Sequence, residues 1–251
     1  MNPYLKNLKR LEFIITYSCT GRCKHCSESD YIKTDTHLTS KDAVNALDKI
    51  NKIYPLDSVM TFGGEPLLYP DVVVSIHKLA KRLNIPKRQL ITNGFFSSDN
   101  TSITNTAKLI ATCGVNDILI SADAFHQENI PLSSVLIFAE NLLKNGAYSV
   151  KVHPAWLVGK DSDNAYNIKT KEIIKKFENL GIPSSNGNIV FPAGNALKYL
   201  SKYFDPNKTY INKYKQDPKD IRAGSISPNG DFINCNILDK TFINDLDEYS
   251  P

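Results

Sequence analysis

Three cysteines lie close together near the start of the chain, at Cys19, Cys23 and Cys26, with the spacing C-x3-C-x2-C. Thiolates bind iron, and three of them can hold three irons of a [4Fe-4S] cluster while the fourth iron stays open to another ligand. A structural zinc site instead needs a closed set of four ligands, for which His25 would have to bind beside Cys26 in cramped geometry. The spacing therefore favours an iron–sulfur cluster.

A glycine pair and a carboxylate follow a short apolar segment as FGGEP, at Gly63, Gly64 and Glu65. Glycines allow a backbone to approach a ligand closely, and a carboxylate can pair with an ammonium group. A glycine pair after a strand can also be an ordinary turn. Together with the upstream cysteines, the segment indicates a binding site for a ligand that carries an amine.

The two motifs together resemble the radical SAM superfamily, whose signature is C-x3-C-x-φ-C with φ aromatic, and His25 occupies the φ position as a cofactor contact. The resemblance implies that the amino and carboxylate groups of S-adenosylmethionine chelate the open iron. One electron from the reduced cluster then breaks a carbon–sulfur bond, which yields methionine and a 5′-deoxyadenosyl radical. In this family the GGE motif, here Gly63 to Glu65, contacts the methionine amino group.

Four more positions at predicted strand ends resemble cofactor-binding positions of the family. Asn93, in ITNG, ends the third predicted strand as such segments do in the family. Ser121 and Asp123, in ISADAFHQE, resemble residues that bind the ribose hydroxyls or the methionine carboxylate, although Asp123 could instead cap the following helix. His153 closes the fifth strand and is either a cofactor contact or a core histidine.

The same resemblance concerns two further residues. His126 follows in a DxFHQ segment, where it could contact substrate, transfer a proton, or simply pack or cap. Asn195 stands where related proteins more often have arginine, which puts any anion contact at this position in doubt.

The C-terminal part resembles an incomplete auxiliary-cluster extension of the SPASM or Twitch type. The segment from Gly230 to Cys235 has the form G-x4-C, but no cysteine follows it, and Cys113 belongs to a predicted helix end. One cluster per chain is therefore expected. Cys235 would then be a lone thiol, either a catalytic hydrogen-atom donor to a substrate radical or a small buried hydrophobic residue.

Alternating apolar strand patterns and helical patterns must position these residues. Strands are predicted at 11–16, 58–62, 88–92, 117–121, 149–153 and 188–191, and helices at 40–53, 70–83, 102–112, 131–145 and 165–180. The pattern predicts an α/β fold, a partial (β/α)6 TIM-like barrel over residues 1–196. A small C-terminal extension over residues 197–251 is predicted to contain a basic and aromatic segment and then a β-hairpin.

Composition places the chain among ordinary globular proteins, because 41% of its 251 residues are hydrophobic and 22% are charged. The net charge of +4 is too small to imply a nucleic-acid partner. No apolar stretch approaches the roughly 18 to 20 residues that span a bilayer, and the start lacks a signal-peptide pattern. A cytoplasmic protein without a membrane partner is expected.

The functional expectation is an enzyme that uses S-adenosylmethionine, a [4Fe-4S] cluster and an electron donor such as flavodoxin or ferredoxin. A partial barrel with an open side admits large substrates, which favours a peptide or protein substrate by fold-level analogy. The alternatives are radical modification of a small metabolite, nucleoside or RNA, or a non-catalytic iron–sulfur binding or sensing module. The GGEP segment favours an enzyme, because a module of that kind needs no site for an amine.

Overall fold

Strands and helices alternate along the first 178 residues of the computed structural model, which describes residues 1–27, 35–212, 215–234 and 242–243. The strands are β1 (Arg10–Ile14), β2 (Ser58–Phe62), β3 (Lys87–Thr92), β4 (Asp117–Ile120) and β5 (Val150–Val152). The helices are α1 (Ser40–Ile53), α2 (Pro70–Arg82), α3 (Asn100–Thr112), α4 (Leu132–Lys144) and α5 (Ala165–Glu178). These bounds lie within two residues of the predicted ones. Thr39 is the N-cap of α1, since its side chain accepts a hydrogen bond from the backbone N–H of Asp42.

The sixth predicted strand is short and lies in a small sheet of its own. It forms β7 (Asn188–Ile189), which pairs in parallel with β6 (Ala155–Trp156). A break at Pro154, which has no N–H to donate, separates β6 from β5. A single parallel bridge also joins β5 to Ser184, so the chain leading to β7 runs beside the edge of the main sheet.

The main sheet contains three strands from the C-terminal extension. Its strands are β8 (Ala223–Ile226), β9 (Phe232–Asn234) and β10 (Phe242–Ile243), and the sheet order is β10-β9-β8-β1-β2-β3-β4-β5. Strand β8 is parallel to β1, whereas β8 and β9 form the predicted antiparallel hairpin. The sixth parallel strand of this sheet therefore comes from beyond residue 197 and pairs with β1 rather than β5.

A layer of hydrogen-bonded polar side chains crosses the sheet near the amino ends of its strands. Arg10 donates to Glu12 and to Gln89. Gln89 donates to Asp117 at 2.7 Å, and Lys151 pairs with the same carboxylate at 3.0 Å. Closer to the carboxyl ends of the same strands, Phe62 of β2 and Ile91 of β3 line the cavity described below. Sequence periodicity did not predict this polar layer, which lies beneath the site.

The helices cover an extensive apolar core that includes side chains from every strand from β1 to β5. A separate cluster joins α6 (Gly194–Leu200) to the β6–β7 region through residues such as Leu157, Val190 and Leu200. Within the residues that the structure describes, no helix combines the length and apolar character that crossing a membrane requires.

Candidate active site

A cavity of about 680 Å³ opens at the carboxyl ends of the parallel strands, the edge at which barrels of this type bind ligands. Phe62 and Thr92, which end β2 and β3, line it, as does Ser121 just after β4. The predicted site residues that also line it are Cys19, Cys23, His25, Cys26, Gly63, Gly64 and Asn93. The topology therefore brings together residues that are up to 102 positions apart in the chain.

The loop that carries the cysteines turns tightly around Gly21. Its backbone N–H donates to Cys19 Sγ at 3.3 Å, and the backbone N–H of Cys26 donates to the Cys23 carbonyl at 3.2 Å. A Cβ atom on Gly21 would lie 3.2 Å from Cys23 Sγ and 3.7 Å from Cys19 Sγ. The thiols of Cys19 and Cys23 therefore both lie next to Gly21, where any side chain would contact them.

Burial raises the pKa of two of these thiols. It raises the pKa of Cys19 to about 11, with the negative charge of Glu65 as the next cause. Burial likewise raises the pKa of Cys23 well above its usual range, helped by Asp123. Thiolate charge is therefore unfavourable here unless a bound metal compensates it, and metal binding would release protons. This donor set fits an iron–sulfur cluster.

The glycine pair packs directly against the segment that leads into the cysteine loop. The Gly64 N–H donates to the Thr16 carbonyl at 2.8 Å, and the Glu65 N–H donates to the Ser18 carbonyl at 2.9 Å. A Cβ atom on Gly63, whose φ is +149°, would lie 2.5 Å from the Thr16 oxygen, and one on Gly64 would overlap the Ser18 carbonyl. Only glycine allows this approach, so the pair fixes the cysteine loop as well as lining the cavity.

The Glu65 carboxylate points into the protein. It is fully buried and accepts three hydrogen bonds, from Leu67 N at 2.9 Å, Thr92 Oγ1 at 2.7 Å and Asn93 N at 2.8 Å. Burial raises its pKa to about 7, against the opposing effect of these three donors. Glu65 is not among the described residues that line the cavity. Its carboxylate therefore joins the GGEP turn to the end of β3.

Asn93 connects that buried carboxylate to the cysteine loop. Its side-chain N–H groups donate to Thr20 Oγ1 at 3.1 Å and to Cys19 Sγ at 3.7 Å. Its side-chain oxygen accepts a hydrogen bond from Phe95 N at 2.8 Å. The residue predicted as a cofactor contact thus also touches a candidate cluster ligand.

Asp123 orients a histidine instead of lining the cavity itself. Its buried carboxylate accepts from Phe125 N, His126 N, His126 Nδ1 and Ala155 N, all at 2.9 to 3.0 Å. Although burial opposes ionisation, the nearby His126 and these donors hold the pKa of Asp123 well below its usual range. The Asp123 carboxylate therefore holds the turn that leads to His126, and His126 is the side chain that lines the cavity.

His126 comes close to both His25 and a motif cysteine. The ring centroids of the two histidines are 4.8 Å apart, and ligand atoms of Cys23, His25 and His126 all lie within 4.8 Å of one another. Burial lowers the pKa of His25 to about 4. Sequence reasoning left His126 unassigned, although the D-x-x-H spacing after a strand end was the available signal.

The two remaining positions differ in their relation to the cavity. His153 lies outside the described cavity lining, and its two ring nitrogens contact Ser185 Oγ at 2.8 Å and Asn188 Nδ2 at 3.0 Å. Burial lowers its pKa. Asn195 does line the cavity and donates to the Cys23 carbonyl at 3.5 Å. Cys235 lies outside the described residues, so its proposed hydrogen-donor role stays a prediction.

Partly exposed side chains also line the cavity. Lys24 and Glu128 form an ion pair at 3.1 Å, and Asn129 donates to the Arg22 carbonyl at 3.4 Å. Tyr199, on α6, also lines the opening and is half exposed. These residues belong to three separate parts of the chain.

The fold and the thiol-lined cavity define a partial-barrel iron–sulfur enzyme. The family model for the radical SAM superfamily matches residues 13–200. The chain belongs to this superfamily, whose cofactors are a [4Fe-4S] cluster and S-adenosylmethionine.

Sequence relatives include a probable GTP 3′,8-cyclase of Saccharolobus islandicus, which is 24% identical over 236 residues, or 89% of this chain and 72% of the relative. A GTP 3′,8-cyclase of Limosilactobacillus fermentum is 28% identical over 117 residues, 45% and 33% of the two chains.

Solved structures with the same fold include anSMEcpe with bound AdoMet, at a TM-score of 0.60 and 17% identity over 96% of this chain and 78% of that one. Streptococcus suis SuiB bound to its precursor peptide SuiA has a TM-score of 0.58 and 14% identity, over 97% and 64%. These structural likenesses establish the fold, and they leave the substrate open.

Proposed function

We propose that this radical SAM enzyme modifies a peptide or protein substrate, and that Cys19, Cys23 and Cys26 hold its [4Fe-4S] cluster. When bound, the cluster and S-adenosylmethionine supply a 5′-deoxyadenosyl radical that abstracts a hydrogen atom from the substrate. The residues of this chain bind and orient those groups. The observation that carries the proposal is a cavity at the strand ends whose described lining includes the three cysteines together with Arg22, Lys24, Glu128 and Tyr199.

The wall of the cavity is proposed to hold S-adenosylmethionine. Gly63 and Gly64 place backbone along one side, while Asn93, Ser121 and His25 contribute polar or aromatic side chains. Buried carboxylates behind this wall hold it in position, because each accepts hydrogen bonds from the turn that carries a lining residue. The wall is therefore preorganised before ligand binding.

The size of the cavity favours a large substrate that presents only a small group. A volume of about 680 Å³ lies in the range of about 300 to 1,000 Å³ that single small-molecule sites occupy. A cluster and S-adenosylmethionine would both occupy this cavity. A peptide would then present one group to them and contact lining residues such as Tyr199 and the Lys24–Glu128 pair.

A nucleotide substrate is the second candidate, because the GTP 3′,8-cyclases align with 89% of this chain. Binding of a triphosphate needs clustered positive charge. Among the described residues that line the cavity, the permanent cations are Arg22 and Lys24, and Lys24 is paired with Glu128. This charge arrangement favours the peptide over the nucleotide.

RNA receives less support from the basic and aromatic segment. Three of its lysines lie over tyrosine rings at 5.0 to 5.5 Å from the ring centroids, so they cover faces on which bases would stack. The pairs are Lys198 with Tyr199, Lys202 with Tyr203 and Lys208 with Tyr210.

Hydrogen transfer from labelled substrates tests the substrate class directly. Reduced, reconstituted enzyme is incubated with S-adenosylmethionine and either deuterated peptides, including any short peptide encoded beside this gene, or deuterated GTP. Deuterium in the 5′-deoxyadenosine recovered from the peptide reaction supports the proposal. Deuterium transfer from GTP alone contradicts it. A Cys19→Ala, Cys23→Ala, Cys26→Ala triple variant is the control and should form no 5′-deoxyadenosine.

A further inference from the structure

We propose that Asn93 raises the reduction potential of the cluster by donating an N–H···S hydrogen bond to Cys19, and that Glu65 holds Asn93 in place for this purpose. The inference rests on the proposed function only in that Cys19 binds the cluster. It is independent of which substrate the enzyme uses.

Cys19 receives one hydrogen bond that a substitution can remove and one that it cannot. The Gly21 donor at 3.3 Å is a backbone N–H and is present whatever the side chains are. The Asn93 donor at 3.7 Å is a side-chain N–H from the end of β3, 74 residues away in the chain. Changing Asn93 therefore alters the surroundings of this sulfur without changing the loop that carries it.

The orientation of the Asn93 amide is determined by its neighbours. Its oxygen faces the N–H of Phe95 at 2.8 Å, which is a donor and so requires an acceptor. Its nitrogen faces Thr20 Oγ1, whose own proton goes to the Phe95 carbonyl at 2.6 Å, so this hydroxyl acts as an acceptor. A flipped amide would place donor against donor, and the N–H must therefore point toward Cys19.

The Asn93 backbone is held as firmly as its side chain. Its N–H donates to Glu65 Oε2 at 2.8 Å, and the other oxygen of that carboxylate accepts from Thr92 and Leu67. Asn93 is 6% exposed although it lines the cavity, so little of its amide is open to water. A fixed donor with little access to water interacts strongly with nearby charge.

Reduction adds negative charge that is shared by the cysteine sulfurs, so a donor aimed at one sulfur stabilises the reduced cluster more than the oxidised one. Hydrogen bonds to sulfur and solvent exposure are established determinants of cluster potentials. Loss of the Asn93 donor should therefore make the cluster harder to reduce. The electron donor of the enzyme would then reduce a smaller fraction of it.

The test is a spectroelectrochemical titration of the reconstituted cluster, followed by electron paramagnetic resonance, without S-adenosylmethionine or substrate. Asn93→Ser removes the amide N–H that donates to Cys19 and keeps an uncharged hydroxyl oxygen that can accept from Phe95 N. We expect the ratio of reduced to oxidised cluster at a fixed potential to fall about tenfold, which corresponds to a midpoint lower by about 59 mV for one electron. Iron content should stay at the wild-type level.

Thr20→Val is the matched control, because it removes the other acceptor of the Asn93 amide, while the Phe95 N–H still fixes the amide oxygen and so keeps the N–H directed at Cys19. In Thr20→Val, the ratio of reduced to oxidised cluster at the same potential should change less than about twofold. An unchanged midpoint in Asn93→Ser, or an equal fall in Thr20→Val, overturns the proposal.

If Asn93→Ser and the isosteric Asn93→Asp both fail to assemble a cluster, electron–nuclear double resonance decides the question on wild-type protein. Side-chain 15N-labelled asparagine should show coupling to the reduced cluster, and its absence overturns the proposal. Failure of the triple cysteine variant to lose its cluster would instead refute the ligand assignment itself.

Discussion

Replacing Glu65 with glutamine should destabilise the fold, because its carboxylate accepts hydrogen bonds from three donors and glutamine offers only one oxygen. Oε1 accepts from Leu67 N and Thr92 Oγ1, and Oε2 accepts from Asn93 N. A glutamine that keeps its oxygen toward the first two donors turns its NH2 group toward the third. One buried backbone N–H then loses its partner and faces another donor.

The expected loss of stability follows from the number of buried donors that each variant leaves without an acceptor. A buried donor left unsatisfied costs about 1 to 3 kcal/mol, so Glu65→Gln should lower the free energy of unfolding by about that amount. Glu65→Ala leaves both backbone N–H groups without an acceptor and should cost about 2 to 6 kcal/mol before any cavity is counted. Because domains are stable by about 5 to 15 kcal/mol, the alanine variant should be close to unfolding.

Urea denaturation of the cluster-free, reduced protein, followed by circular dichroism, measures this loss as a lower midpoint at an unchanged slope. Glu140→Gln is the matched control, because Glu140 lies on the surface and its pairing with Lys144 is solvent-exposed. Its stability should match the wild type. A Glu65→Gln variant within about 0.5 kcal/mol of wild type would refute the role assigned to the carboxylate.

Three further outcomes follow from the same geometry. Burial raises the pKa of Glu65 from 4.5 to about 7, so its contribution to stability should be full below about pH 4.5 and fall as the pH rises to about 7. Urea midpoints across this range should show the fall in wild type relative to Glu65→Gln, and parallel curves would exclude it. Gly64→Ala should prevent normal iron loading because its Cβ overlaps the Ser18 carbonyl, whereas Gly159→Ala, which meets no atom closer than 3.7 Å, should load normally. His126→Ala should keep its iron but form 5′-deoxyadenosine about 10- to 100-fold more slowly, as loss of a side chain beside a metal site typically does. A wild-type rate would remove His126 from the site.

The sequence by itself determined the features that depend on local chemistry. The cysteine spacing, the glycine pair and the alternation of strand and helix patterns indicated the family, the cofactors and the partial barrel. Helix bounds were predicted within two residues, because caps such as Thr39 and the apolar period act over a few positions. Sequence also indicated which strand ends carry the site, since the carboxyl ends of parallel strands share one edge.

Tertiary structure alone decided where the charged side chains of the motifs point. Glu65 and Asp123 sit beside residues that line the cavity, yet their carboxylates turn inward, because backbone N–H groups from other turns need acceptors there. The same packing places Asn93 against Cys19 and brings β8 to the edge of β1. These contacts join residues between 28 and 213 positions apart, and no local pattern encodes such distances. Hydrogen-bond satisfaction in the folded core decides them, and it depends on every neighbouring segment at once.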